Sequence, residues 1–518
     1  MKSKILKIIL ISILFIALIM NMVVVNAEPP ELPENNSLIS GNPGDGETPP
    51  EKPEGDPNNG ETPPEKPNGE NGGTPVNSVV YAGATVFSED TSEEDKTYSS
   101  TTGGENAILA EGGNSTIKNF TLNKSGNSDG ENADFYGTNA GILSHSGATL
   151  NIDGGNITTN GTHANAVFAG KDGFVNIYNS KIITSGNNSG AIMVTGGGNL
   201  TAINVTASTS GNSSAPIRSD RGGGLLAVDG GEYTSTGVGS PAIYSTADIL
   251  VNGANLTSTS SEGIVIEGGN SVTLTNSNLV DTNTSLNGNS ETYKNIFLYQ
   301  SMSGDASEGS SSFSATKSKI TTNKGDTFFV TNTTANISLT ENEIVNNDSE
   351  GALLRIQAGK WGTAGANGGN VELNLSTQNA EGNIVLDNIS TLNFSVLNES
   401  KYAGTINGGN TAKNVVLSLD STSTITLTGD SYVSELNNGV SDNSNINLNG
   451  FKLYVNGEAI TYTDYKEEQD TDVKDVTVTK EKDNKINFEI NSQIMVLIAA
   501  FIIICGATII IIVKKSKK

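Results

Sequence analysis

Between residues 78 and 462, apolar residues recur in short alternating runs and never form a helical stripe. One repeated element is a small residue followed by an apolar pair or single: Gly141-Ile-Leu, Ala166-Val-Phe, Ala191-Ile-Met, Pro216-Ile, Ala242-Ile and Gly263-Ile-Val. Its leading apolar residues are Ile142, Val167, Ile192, Ile217, Ile243 and Ile264, at spacings of 25, 25, 25, 26 and 21. A second element follows the first: apolar, any, Gly/Asn, small, polar, apolar. Examples are Ile152-Asp-Gly-Gly-Asn-Ile157, Ile177-Tyr-Asn-Ser-Lys-Ile182, Val228-Asp-Gly-Gly-Glu-Tyr233, Val251-Asn-Gly-Ala-Asn-Leu256 and Leu274-Thr-Asn-Ser-Asn-Leu279. Weaker copies occur at Ala315-Thr-Lys-Ser-Lys-Ile320 and Leu339-Thr-Glu-Asn-Glu-Ile344. Asn-Ser and Asp-Gly between short apolar runs mark tight turns joining strands.

A fixed period in the range of ~20–50 residues is the signature of stacked repeats. The spacing is too short for propeller blades, and no leucine-rich consensus is present. The arrangement that buries such short strands is a coil, in which each strand pairs with its equivalent one turn on, ~4.8 Å away. With ~25 residues per turn, the body is expected to be an all-β parallel solenoid of about 13–15 turns. Ile, Val and Leu would form inward rows, and corner Asn residues could build side-chain ladders. A narrow interior of this kind suits aliphatic side chains, which accounts for an aromatic content of only 5%.

This repeat resembles the right-handed parallel β-helix of the pectin-lyase-like superfamily, and within it the adhesin-like surface proteins of prokaryotes. The closing stretches Ile425-Thr-Leu-Thr-Gly-Asp-Ser-Tyr432 and Ile446-Asn-Leu-Asn-Gly-Phe-Lys-Leu-Tyr-Val-Asn-Gly457 are similar to terminal rungs of such proteins. The resemblance covers roughly three quarters of the chain. It implies the architecture and says little of activity, because that architecture hosts lyases, hydrolases and binding proteins alike.

The flanking segments predict where the body is displayed. Residues 1–27 carry three lysines, an apolar run from Ile8 to Val25 and the small residue Ala27, as a cleaved secretory signal peptide does. Residues 28–77 hold 12 of the 14 prolines and repeat Gly46-Glu-Thr-Pro-Pro-Glu-Lys-Pro53 as Gly60-Glu-Thr-Pro-Pro-Glu-Lys-Pro67. That composition predicts an extended, disordered spacer, inert or wall-contacting. Residues 463–493 read as an acidic juxtamembrane stalk. From Ile494 to Val513 the chain runs 20 residues without a charge, enough for one transmembrane helix. Residues 514–518, with four lysines, then form a cytoplasmic tail. The expected location is therefore the cell membrane, single-pass, with the large N-terminal region outside. No LPxTG-like motif precedes the apolar run.

Composition narrows the chemistry. Thirty Lys+Arg against 56 Asp+Glu give a net charge of −26, which excludes a nucleic-acid partner. One Cys, inside the apolar C-terminal run, excludes a disulfide scaffold and a Cys-based metal or redox centre. Lyases of the resembled fold use carboxylate-bound calcium and a basic residue that abstracts a proton beside a uronate carboxylate. Arg218-Ser-Asp220-Arg221 is the one place with that character, so Arg218, Asp220 and Arg221 are weak catalytic candidates; surface ion pairing explains the cluster at least as well. The paired carboxylates and Gly-His-Gly elements that the resemblance implies for hydrolases are missing, and His145 and His163 lack glycine flanks. Arg355-Ile-Gln lacks the lysine of the Arg-Ile-Lys element of such enzymes. Neither an EF-hand loop nor a Gly-Gly-x-Gly-x-Asp repeat is present, so no cofactor is expected beyond adventitious calcium at the corners.

Four segments are too long for a corner: Ser128 to Asn139, Asn283 to Asn295, Ser301 to Ser312 and Gly359 to Gly369. Loops on a rigid solenoid are where binding sits. The last contains the only Trp, Trp361, beside Lys360, and an aromatic with an adjacent cation can stack on a sugar face. The expectation is a non-catalytic, membrane-anchored, adhesin-like or carbohydrate-binding β-helix whose partners are surface glycans or other cells. The alternatives are a surface polysaccharide lyase or glycoside hydrolase, and an envelope spacer without a ligand.

Overall fold

The computed structural model describes residues 79–128, 130–286 and 292–460. The expected signal peptide, proline-rich spacer, acidic stalk, transmembrane helix and cytoplasmic tail all lie outside the described residues. Within them no helix is long and apolar enough to cross a membrane.

The described residues form a parallel β-solenoid of about 15 turns with almost no helix. Three parallel sheets run along it, of 12, 14 and 10 strands, and each contains every third strand of the early chain. The turn built from Ile142–Ser144, Thr149–Asp153 and Asn156–Thr159 is representative and places one strand in each sheet. Beyond Asn346 the third sheet gives way to a separate sheet of four strands. The chain closes with Leu453–Val455, whose partner Glu458–Ala459 makes the sole antiparallel pair among the described strands.

The first sequence element begins the strands of the first sheet, and the second spans the corner from the second sheet into the third. Ile142, Val167, Ile192, Ile217, Ile243 and Ile264 stack in strict register as one inward row of the first sheet. Ile152, Ile177, Ala202, Val228, Val251 and Leu274 form an equivalent row in the second sheet. Alternation along each strand sends every other residue inward, so these rows fuse into one continuous core. Burying a side chain of this size contributes ~1.5–3 kcal/mol, which is how strands of three to five residues persist here.

The interior is wider than its aliphatic rows suggest. Phe120, Tyr233, Phe313, Phe328, Phe394 and Tyr402 are all fully buried. Tyr233 stacks in register on Ala207, whose small side chain leaves the room that a bulky neighbour needs. Phe394 and Tyr402 meet edge to face at 5.1 Å.

Corners between the second and third sheets are two residues long, and the first of the two has positive φ, as at Asn119, Gly154, Asn179, Asn204, Gly230 and Asn276. Asn tolerates this left-handed conformation, which explains its frequency there. The expected ladder is present: Asn204 Nδ2 donates to Asn179 Oδ1 at 2.9 Å, and Asn179 Nδ2 to Asp153 Oδ1 at 2.9 Å. Behind it runs a buried polar ladder, in which the backbone N–H of Ser277 donates to Ser318 Oγ and that of Ser318 to Asn342 Oδ1.

Candidate functional site

All four long segments flank the first sheet. Residues 128–139 and 283–293 lead into it, whereas 301–309 and 357–368 lead out of it. Corners joining the second sheet to the third carry none of them. The outer face of the first sheet is therefore the one that the insertions shape.

An outward row of that face runs Leu109, Leu143, Phe168, Met193, Arg218, Tyr244, Val265, Phe297, Phe329 and Arg355. Its first part is apolar and buried in a small cluster separate from the coil interior, with Tyr81 against it. The first insertion, with its short helix α1 (Glu131–Tyr136), lies over this part: Gly137 abuts Leu143 and Phe168, and the Phe135 carbonyl accepts a hydrogen bond from Thr195 Oγ1 at 2.7 Å.

The structure places Arg218, Asp220 and Arg221 at the middle of this face, with Arg218 and Asp220 buried rather than forming a surface ion pair. Arg218 Nη2 lies 3.1 Å from Asp220 Oδ2. Arg221 turns elsewhere: its Nε donates to Asp305, in the insertion 84 residues further on, and its guanidinium lies 4.1 Å from the centre of the Phe135 ring. Asp134 of α1 pairs with His163 at 2.8 Å. Burial pushes the Asp220 carboxyl up to about 7 against the pull of Arg218, with Asp305 and Asp134 adding to the rise. Burial also works against charge on Arg218, but Asp134 and Asp220 outweigh it and its pKa is raised. This arrangement is a clamp that ties two insertions to the sheet. Arg221→Ala removes one tie to each insertion, so limited proteolysis should cut between residues 301 and 309 several-fold faster than in the parent chain, while the melting temperature of the coil stays close to its starting value.

Two turns further on, the face holds a carboxylate that the sequence did not single out. Glu267 is 1% exposed. Its Oε2 accepts from the hydroxyls of Tyr244 at 2.6 Å and Tyr299 at 2.8 Å, and its Oε1 accepts from Ser301. Burial raises the pKa of both tyrosines, and Glu267 adds to the rise, so they remain donors.

Beyond Glu267 the face opens. Phe297 and Tyr299 stack with centroids 4.5 Å apart, Phe329 meets Phe297 edge-on at 5.8 Å, and Trp361 packs against Tyr299 at 5.7 Å. Phe297 and Trp361 are half-buried, and Lys360 is exposed beside them. Asn367 Nδ2 fixes the loop by donating to the carbonyls of Gly359 and Trp361 at 2.8 and 2.9 Å. Arg355 borders the strip and binds Asp326 through Nε at 2.6 Å and Nη2 at 3.1 Å. The expected binding pair, Trp361 and Lys360, thus belongs to an aromatic strip, whereas Arg218, Asp220 and Arg221 belong to the clamp. No cluster of three or more His, Cys, Asp or Glu suited to a metal ion occurs among the described residues.

No family model matches the chain, and neither a curated protein nor a solved structure matches it.

Proposed function

We propose that this chain is a cell-surface, non-catalytic glycan-binding protein, built on a right-handed β-helix of the pectin-lyase-like, adhesin-like kind. In this reading residues 1–27 direct export, residues 494–513 hold the chain in the membrane, and the coil projects outside. The observation that carries it is the strip of Phe297, Tyr299 and Trp361, with half-buried Phe297 on the sheet and half-buried Trp361 on the adjoining 357–368 segment. Stacked rings offer flat apolar surface to the C–H face of a pyranose, and Lys360 and Arg355 supply donors to its hydroxyls. The buried state of Arg218 and Asp220 speaks against their reaching a polysaccharide, which favours binding over turnover.

A glycan array probed with the full chain tests this. Trp361→Ala should weaken retention of the bound glycan by about tenfold, the size expected when one stacking ring is lost. An unchanged array signal in that variant removes the strip as the site. Release of unsaturated uronate or reducing ends from any array ligand overturns the non-catalytic reading in favour of a lyase or hydrolase.

A further inference from the structure

The second sheet carries a face of a different kind. Six successive strands, Ser271–Thr275, Ser310–Thr316, Thr333–Thr340, Gly369–Ser376, Thr391–Leu397 and Asn414–Leu419, include its two longest, at eight residues each. Glu372 is the only charged residue in all six, in a chain where 17% of residues are charged. One outward row through them reads Thr273, Ser314, Ser338, Asn374, Ser395 and Ser418, and every member is a hydroxyl or an amide. All six are half-exposed. The flanking rows are mostly Ser, Thr and Asn, interrupted by Glu372 and ending at Val416 and Leu397, and Thr391 Oγ1 donates to Asn370 Oδ1 at 2.8 Å across two strands. Corners of two to four residues lead from these strands to the third sheet and then to the four-stranded sheet, so no long insertion lies along that edge of the face.

We propose that this face is a second docking surface, separate from the Trp361 strip, whose ligand is an uncharged polysaccharide lying along the solenoid axis. Three properties select that occupant. Charge is all but withdrawn from the face although the chain as a whole is strongly acidic, so a cationic partner meets only Glu372 and an anionic one meets repulsion from the surroundings. The groups that remain both donate and accept hydrogen bonds, as sugar hydroxyls do. Neighbouring strands repeat every ~4.8 Å, close to the advance of one monosaccharide in an extended chain, so each turn can offer the same group to each successive sugar. Short Ser, Thr and Asn side chains held by strands lose little rotamer freedom on binding.

Affinity electrophoresis of the full chain in gels containing hydroxyethyl cellulose, galactomannan or polygalacturonate tests the proposal. The chain should be retarded by at least one of the two neutral polymers and not by polygalacturonate. Ser338→Arg with Ser395→Arg should weaken that retardation about tenfold with the melting temperature unchanged, because both side chains point outward. Trp361→Ala should leave it intact, which separates this face from the aromatic strip. No retardation by either neutral polymer, or equal retardation of the double variant, overturns the proposal. So does concentration-dependent dimerisation that the double variant abolishes, since the face would then bind a second copy of the chain.

Discussion

Gly186→Val is expected to break the solenoid about a third of the way along, giving two separate thermal transitions where the parent shows one. Gly161, Gly186, Gly211 and Gly237 occupy equivalent corners between the third sheet and the first. A Cβ added at Gly186 would lie 1.8 Å from the Gly161 carbonyl oxygen, and one at Gly211 would lie 1.9 Å from that of Gly186. The obstacle is backbone rather than a side chain that could swing aside. Relief requires opening the spacing of two adjacent turns, which breaks strand pairing in all three sheets at that level. The expected destabilisation is at least ~4 kcal/mol, the range reached when a close-packed backbone site is overfilled. Because each turn touches only its neighbours, the damage stays at the interface and the shorter N-terminal part and the longer C-terminal part melt independently. Ser185→Val, one residue away at an exposed position, should change stability by less than ~0.5 kcal/mol. Calorimetry decides the matter: a single transition at the parent temperature for Gly186→Val would mean that this corner is not close-packed.

The same regularity explains what the sequence revealed. Ile142 through Ile264 could be aligned by eye because a parallel register repeats one chemical demand at one interval. Asn179 and Asn276 were legible as corners because the left-handed conformation restricts which residues fit. The turn at 198–209 escaped the pattern because Ala202 and Ala207 stand where neighbouring turns place larger apolar residues, Ala207 beside the bulk of Tyr233. The aromatic core residues were missed for a related reason: local periodicity reports which side points inward but not how wide the coil is there.

The candidate sites divide along the same line. Trp361 was conspicuous alone, yet its partner Tyr299 lies in Lys294–Tyr299, a strand between two insertions whose own alternation is too short to stand out. Arg221 and Asp305 are 84 residues apart, and no local spacing links them. What couples them is the number of residues per turn summed over the intervening turns, insertions included. The second-sheet face shows the converse. Each strand in it reads as ordinary Ser/Thr/Asn alternation, and only the register reveals that the central row stays uncharged over six turns.

A second large effect concerns pH. Asp281 closes a strand of the third sheet and points inward, stacked between Ser258 and Thr322, with no exposed surface. Its Oδ1 accepts the backbone N–H of Asn283 at 2.9 Å, and Oδ2 has no partner among the described residues. Burial pushes this carboxyl up to about 9; the Asn283 N–H and Lys294 pull it down and Glu262 pushes it further up, without reversing the shift. The folded chain therefore holds one proton more than the unfolded chain between about pH 4 and 9. Stability from this residue is complete at the acid end of that window and declines as pH rises through it, by up to ~1.4 kcal/mol per unit. Glu262 and Lys294, 3.1 Å apart, behave oppositely: burial raises the Glu262 pKa, but Lys294 and the hydrogen bonds from Ser261 and backbone N–H together outweigh it, and the lowered pKa makes the pair weaken only in acid. Asp281→Asn keeps the shape and removes the proton. Above pH 7 the variant should be more stable than the parent by several kcal/mol, near pH 5 by little, and its melting temperature should lose most of the parent's fall between pH 5 and 9. Parallel pH profiles for the two chains over that range would mean that the carboxyl at position 281 is ionised in the folded state.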